Sequence, residues 1–153
     1  MKNKKILFTM IIAVLLSAML AGCGARVAQT PDGFTEVMEA SGFEVQDATE
    51  EADEGITAML VATEENYQID FFEFIDSGTA EDIFDEMAEY MNEEYSSKFM
   101  AIEIYTVNYS YFAFTSGDSF YMIARIDNTM LCSIAAKEYK SEIVDLAKTL
   151  GYK

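Results

Sequence analysis

The chain is 153 residues long and carries 27 acidic residues against 10 basic ones, with no histidine and a net charge of −17. That balance excludes the basic surface that nucleic-acid phosphates demand. The missing histidine excludes Ser-His-Asp and Cys-His nucleophile systems and the usual nitrogen ligands of catalytic zinc.

The first 22 residues form a separate segment. Lys2, Lys4 and Lys5 precede an apolar run from residue 6 to residue 20, which is 15 residues long and diluted by Thr9 and Ser17. A helix needs about 20 apolar residues to cross the hydrocarbon core, so the run is too short to span it. Small residues then lead to one cysteine in Leu20-Ala21-Gly22-Cys23. Basic start, short apolar run and small-residue ending resemble the lipobox (type II) signal peptide of bacterial lipoproteins.

This resemblance implies that residues 1–22 are removed and that Cys23 carries a diacylglyceryl group. Two acyl chains hold a protein at a bilayer without a spanning helix. The protein is then expected to be membrane-anchored by its lipid and to face the extracytoplasmic side, at the cell surface or in the periplasm. Residues 23–29 read as the lipidated tether and residues 30–153 as one domain. Cleavage leaves seven bases against 27 acids, a charge of −20, which opposes docking onto anionic head groups. With Cys23 lipidated, Cys132 is the remaining thiol. No intramolecular disulfide can then form, and Cys132 reads as a small buried hydrophobe.

Thr30-Pro31-Asp32 reads as a helix start, with Thr30 as N-cap and Pro31 in the first turn. Gly42 reads as its left-handed stop and Phe43 as the residue that folds back, giving a helix over 31–41. Strands follow over 43–48, 56–63 and 67–75, the last two joined by Glu64-Glu65-Asn66. Thr79 is the expected cap of a second helix whose apolar stripe is Ile83, Phe84, Met87, Ala88, Met91 and Tyr95. The stretch 101–115 reads as one long strand, followed by strands over 120–126 and 130–136. A third helix carries Tyr139, Ile143, Leu146, Ala147 and Leu150, and Gly151-Tyr152 repeats the Gly42-Phe43 ending. The expected class is α+β in the order α-βββ-α-βββ-α: a mainly antiparallel curved sheet of about six strands with helices on one face.

Three groups are candidates for function. Tyr105, Tyr109, Tyr111, Tyr121 and Arg125, with Phe72 and Phe74 beside them, are expected on an open sheet face. Large amphipathic side chains of this kind suit recognition. Asp47, Glu50, Glu51, Asp53 and Glu54 form an acidic loop, a candidate weak cation site. It fails the EF-hand pattern, because Gly55 at loop position 6 places Ala52 and Val61 at ligand positions. The second helix carries Glu81, Asp82, Asp85, Glu86, Glu89, Glu93 and Glu94 with no base, a solvated face or one that meets a cation or partner.

The expected function is a non-catalytic, lipid-anchored binding or interaction module with no cofactor. Its partner is a protein or small ligand, and self-association through the tyrosine face belongs to the same expectation. A divalent-cation-responsive envelope protein is the alternative. A carboxylate-based hydrolase, which needs two convergent acids in a cleft, stands third.

Overall fold

The computed structural model describes residues 25–153 apart from Ser96. Cys23 and the signal segment lie outside the described residues. The elements run α1 (Pro31–Ala40), β1 (Glu44–Asp47), a 3-10 turn (Thr49–Glu51), β2 (Ile56–Thr63), β3 (Gln68–Phe74), α2 (Ser77–Glu94), β4 (Phe99–Tyr105), β5 (Tyr109–Ser116), β6 (Ser119–Ile126), β7 (Thr129–Ala136), a second 3-10 turn (Lys137–Tyr139) and α3 (Lys140–Thr149). The class is α+β. The strands form one antiparallel sheet in the order β1-β2-β3-β7-β6-β5-β4.

The helix ends follow their local chemistry. Thr30 Oγ1 accepts from Gly33 N at 3.1 Å, and Pro31 opens α1 where no N–H is needed. Gly42 takes φ +94°, which lets Phe43 N return to Met38 O at 3.0 Å. Gly151, at φ +88°, repeats the device with Tyr152 N on Ala147 O at 2.8 Å. The second helix starts earlier than expected. Asp76, not Thr79, is its N-cap: its carboxylate accepts from Thr79 N at 2.8 Å, a stronger acceptor than a hydroxyl and suited to the positive helix end.

Two features depart from the expected architecture. The stretch 101–115 is two strands, because the chain reverses at residues 106–108. Thr106 N donates to Tyr109 O at 2.7 Å, and Tyr109 N donates to Thr106 Oγ1 at 3.1 Å. The sheet therefore has seven strands. The helices also cover both faces rather than one. On the first face α1 and α3 bury Phe34, Met38, Ile143 and Ala147 against Phe71, Tyr111, Met122 and Leu131. On the second, α2 buries Ala80, Phe84, Ala88 and Met91 against Phe112, Phe114, Ile123 and Met130. Strand β5 is buried on both faces for this reason.

Core packing outweighs the charge on α2. All seven of its acids are exposed. Like-charge neighbours one turn apart cost about 0.2–0.5 kcal/mol each, whereas burying a side chain such as Phe84 contributes about 1.5–3 kcal/mol. The acids form the solvated side of an amphipathic helix.

The chain before α1 belongs to the domain. Arg26 Nη1 donates to Gly151 O at 2.7 Å, and Asn108 Nδ2 donates to Arg26 O at 2.8 Å. The Arg26 guanidinium lies 3.9 Å from the Tyr109 ring centre. Gln29 Nε2 reaches Leu150 O at 3.2 Å, and Ala28 packs on the core. Residues 26–29, expected as part of a tether, are thus fastened at the sheet end that carries the β4–β5 and β6–β7 turns.

Candidate functional site

The tyrosine group is divided by the reversal at 106–108. Tyr109 pairs with Ile126 and Tyr111 with Ala124, which puts both tyrosines on the first face. Ser110 pairs with Arg125 and Phe114 with Tyr121, which puts Arg125 and Tyr121 on the second. Tyr105 pairs with Ser110 and also lies on the second face, edge-on to Phe84 at 5.8 Å. Four of the five are buried: Tyr109 is 3% exposed, Tyr111 1%, Tyr121 8% and Arg125 1%, against 53% for Tyr105. The five share no open face, because they divide between the two sides of the sheet and four of them are buried.

Each buried member has a structural occupation. Tyr109 Oη donates to Tyr152 O at 2.9 Å. Desolvation pushes the Tyr111 phenol up to about 12. Tyr121 stacks on Phe114 at 4.8 Å and meets Tyr95 at 4.6 Å. Arg125 donates from Nη2 to Ser110 Oγ and from Nη1 to Asp127 O, both at 3.2 Å, clipping β5 to the β6–β7 turn.

The acidic loop is likewise not assembled into a metal centre. Asp47 Oδ1 accepts from Thr49 N at 2.9 Å. Hydrogen bonds from Thr49 hold its carboxyl below the ordinary value. Glu50 and Glu51 sit in the exposed 3-10 turn, and Asp53 and Glu54 follow it. Among the described residues, no group of three or more His, Cys, Asp or Glu side chains is placed to hold a metal ion.

A concave feature lies elsewhere, on the second face. Helix α2 starts beside β2 and β3, where a Cβ on Gly55 would touch Thr79 at 3.5 Å. It ends with Tyr95 over Phe114 and Tyr121, on β5 and β6. This diagonal course leaves β3 and β7 open beside it, as a groove of about 660 Å³. Phe72, Met130 and Cys132 line it from the sheet, and Ile83, Met87 and Met91 from α2. Ile134, 59% exposed, lies at its open side. The size is ordinary for a small-molecule site, and thioether side chains adapt their shape to a ligand.

The charged groups of the groove are of one sign. Asp53 and Glu54 line the groove at one end of β2, Glu64 and Glu65 at the other, and Asp70 lies on β3 between them. Among the described residues, no lysine or arginine lines it. Asp70 is paired with Val61 on β2 and Cys132 on β7. Its carboxylate accepts from Gln68 Nε2 at 3.0 and 3.2 Å. Desolvation raises its pKa, against the lowering effect of that hydrogen bond. Burial, then the nearby Asp70 carboxylate, pushes the Cys132 thiol up, so it is no nucleophile at neutral pH.

The sequence did contain a signal for this groove. In Gln68–Phe74 the residues of one parity are Gln68, Asp70, Phe72 and Phe74, an acid in register with two phenylalanines. That pattern suits neither a plain core face nor a plain solvent face.

Neither a protein-family model nor a curated protein matches the sequence. Among solved structures, the chain is similar in fold to a GTP binding regulator from Thermotoga maritima. The match has a TM-score of 0.51 and 12% identity, covering 81% of this chain and 88% of that chain. At that identity the likeness is one of fold.

Proposed function

We propose that this protein is a lipid-anchored, extracytoplasmic binding module that takes an apolar ligand in the groove between α2 and strands β3 and β7. The observation that carries the reading is a methionine- and phenylalanine-lined concavity of about 660 Å³ between α2 and the sheet. A non-catalytic role accords with the absence of histidine, the protonated thiol of Cys132 and a floor with a single carboxylate. The likeness to a GTP binding regulator does not bring a nucleotide to this groove, since a triphosphate would meet five acids and no base there.

The anchor rests on the lipobox resemblance of Leu20–Cys23. With Arg26 fastened to Gly151 and Asn108, the distance from a lipidated Cys23 to the domain is limited to the reach of three residues, about 10 Å. The sheet end carrying Arg26 then faces the bilayer. Val27, Ile75 and Val107, exposed at 83%, 67% and 100%, all lie at that end. Backbone hydrogen bonds join its turns, Asp127 N to Asn108 O and Phe74 N to Asn128 O. The Glu64–Glu65 end of the groove points away, by about the 25 Å length of an eight-residue strand.

Titration with a neutral solvatochromic dye tests the binding reading. The wild-type domain should brighten the dye, and Met87→Glu, which puts a charge on the groove wall, should abolish the effect while circular dichroism stays native. Equal brightening by both proteins would place the dye elsewhere and overturn the reading. For the anchor, Cys23→Ala should move the protein from the membrane fraction to the soluble one.

A further inference from the structure

Met, Ile and Phe side chains line much of the groove, yet it holds a carboxylate, Asp70, with no ion-pair partner among the described residues. Asp70 is mid-strand on β3, flanked on its own face by Phe72 and across the ladder by Cys132. Its carboxylate accepts hydrogen bonds from one neutral side chain, Gln68. The ion pairs among the described residues, Lys137–Asp118 and Lys148–Asp145, lie elsewhere. A charge drawn partly out of water without a counter-charge is unfavourable, and the raised pKa of Asp70 expresses that imbalance. Glu64 and Glu65, at the nearby hairpin, add potential of the same sign.

We propose that the ligand of this groove is a cationic amphiphile, an apolar body bearing one organic ammonium group that Asp70 receives. This rests on the reading of the groove as a ligand site and adds the chemical class. The apolar body lies against Met87, Met130 and Phe72, whose area drives binding. The ammonium donates to the Asp70 carboxylate in a charge-assisted hydrogen bond, stronger in this low-dielectric setting than in water. Glu64 and Glu65 attract the cation at longer range, an effect that salt screens. An anionic head would meet only like charge, and a neutral head would leave the carboxylate uncompensated.

Three probes of equal chain length separate the terms: decylammonium, decanol and decanoate, below their aggregation concentrations, with ethylammonium as a cation lacking the apolar body. By calorimetry, wild-type protein should bind decylammonium at least tenfold more tightly than decanol. It should bind decanoate more weakly still, and ethylammonium not measurably. Asp70→Asn should bring decylammonium to the level of decanol, and the Glu64→Gln/Glu65→Gln pair should keep most of the preference. Equal binding of decylammonium and decanol by wild type would overturn the cation inference and leave the groove reading standing. So would an undiminished preference in Asp70→Asn. Binding of none of the four would remove the groove reading itself. A dimer in sedimentation that decylammonium fails to dissociate would give the groove to a second copy of the chain and overturn both.

Discussion

Asp70 and Cys132 face each other across β3 and β7, on the floor of the groove. The thiol is almost fully buried and its pKa is raised, first by burial and then by the Asp70 carboxylate. In a Cys23→Ser chain, Cys132 is the remaining thiol. Its reaction with an aromatic disulfide reagent at pH 7 should be orders of magnitude slower in the native protein than in denaturant. Fast native labelling would mean that the floor of the groove opens to solvent.

Asp70 also sets a pH dependence of stability. Folding raises its pKa, so the folded chain holds the Asp70 proton more tightly than the unfolded chain does. Its ionisation therefore costs stability as pH rises from the ordinary value of 3.8 through the raised one. Asp70→Asn removes that cost. The variant should melt above wild type at pH 7, and the difference should close as the pH falls below 3.8. A lower melting temperature at pH 7 would show that the carboxylate stabilises the fold.

Tyr109 and Tyr111 belong to the core, so their substitutions should read out in folding. Tyr109→Phe loses the hydrogen bond to Tyr152 O and should cost about 1 kcal/mol in urea denaturation. Tyr111→Ala should cost about 3–5 kcal/mol, the range for deleting a buried aromatic ring. Ligand binding by whatever fraction stays folded should be unchanged. A Tyr111→Ala chain of native stability would contradict the burial.

The chain has no tryptophan, which makes single tryptophans clean reporters of orientation. With Cys23 lipidated and the protein on zwitterionic vesicles, Val107→Trp should show blue-shifted emission quenched by brominated lipid, and Ile134→Trp should not. Equal behaviour at both positions would contradict a fixed membrane-facing end.

Legibility in the sequence followed local chemistry. Thr30, Pro31, Gly42 and Gly151 mark their helix ends through hydrogen bonds made within a few residues, so the expected caps match the structure. The reversal at 106–108 has no turn signature in the sequence because it uses no glycine or proline; a threonine hydroxyl closes the turn. Read as one continuous strand, 101–115 puts residues 102–105 on the wrong side relative to β5, since strand parity has period two. It also makes buried tyrosines look like one exposed row. The groove depends on the oblique path of α2, a tertiary property that no short window of sequence encodes. Only Asp70, in register with Phe72 and Phe74, betrayed it.

The central claim is that an apolar ligand occupies the α2–β3–β7 groove, and methionine-methyl NMR tests it most directly. Met87, Met91 and Met130 line the groove, while Met38 is buried beneath α1 on the opposite face. On titration with decylammonium, the account predicts saturable shifts at Met87, Met91 and Met130 and none at Met38. Unmoved groove methyls, or a Met38 shift as large as theirs, would contradict it.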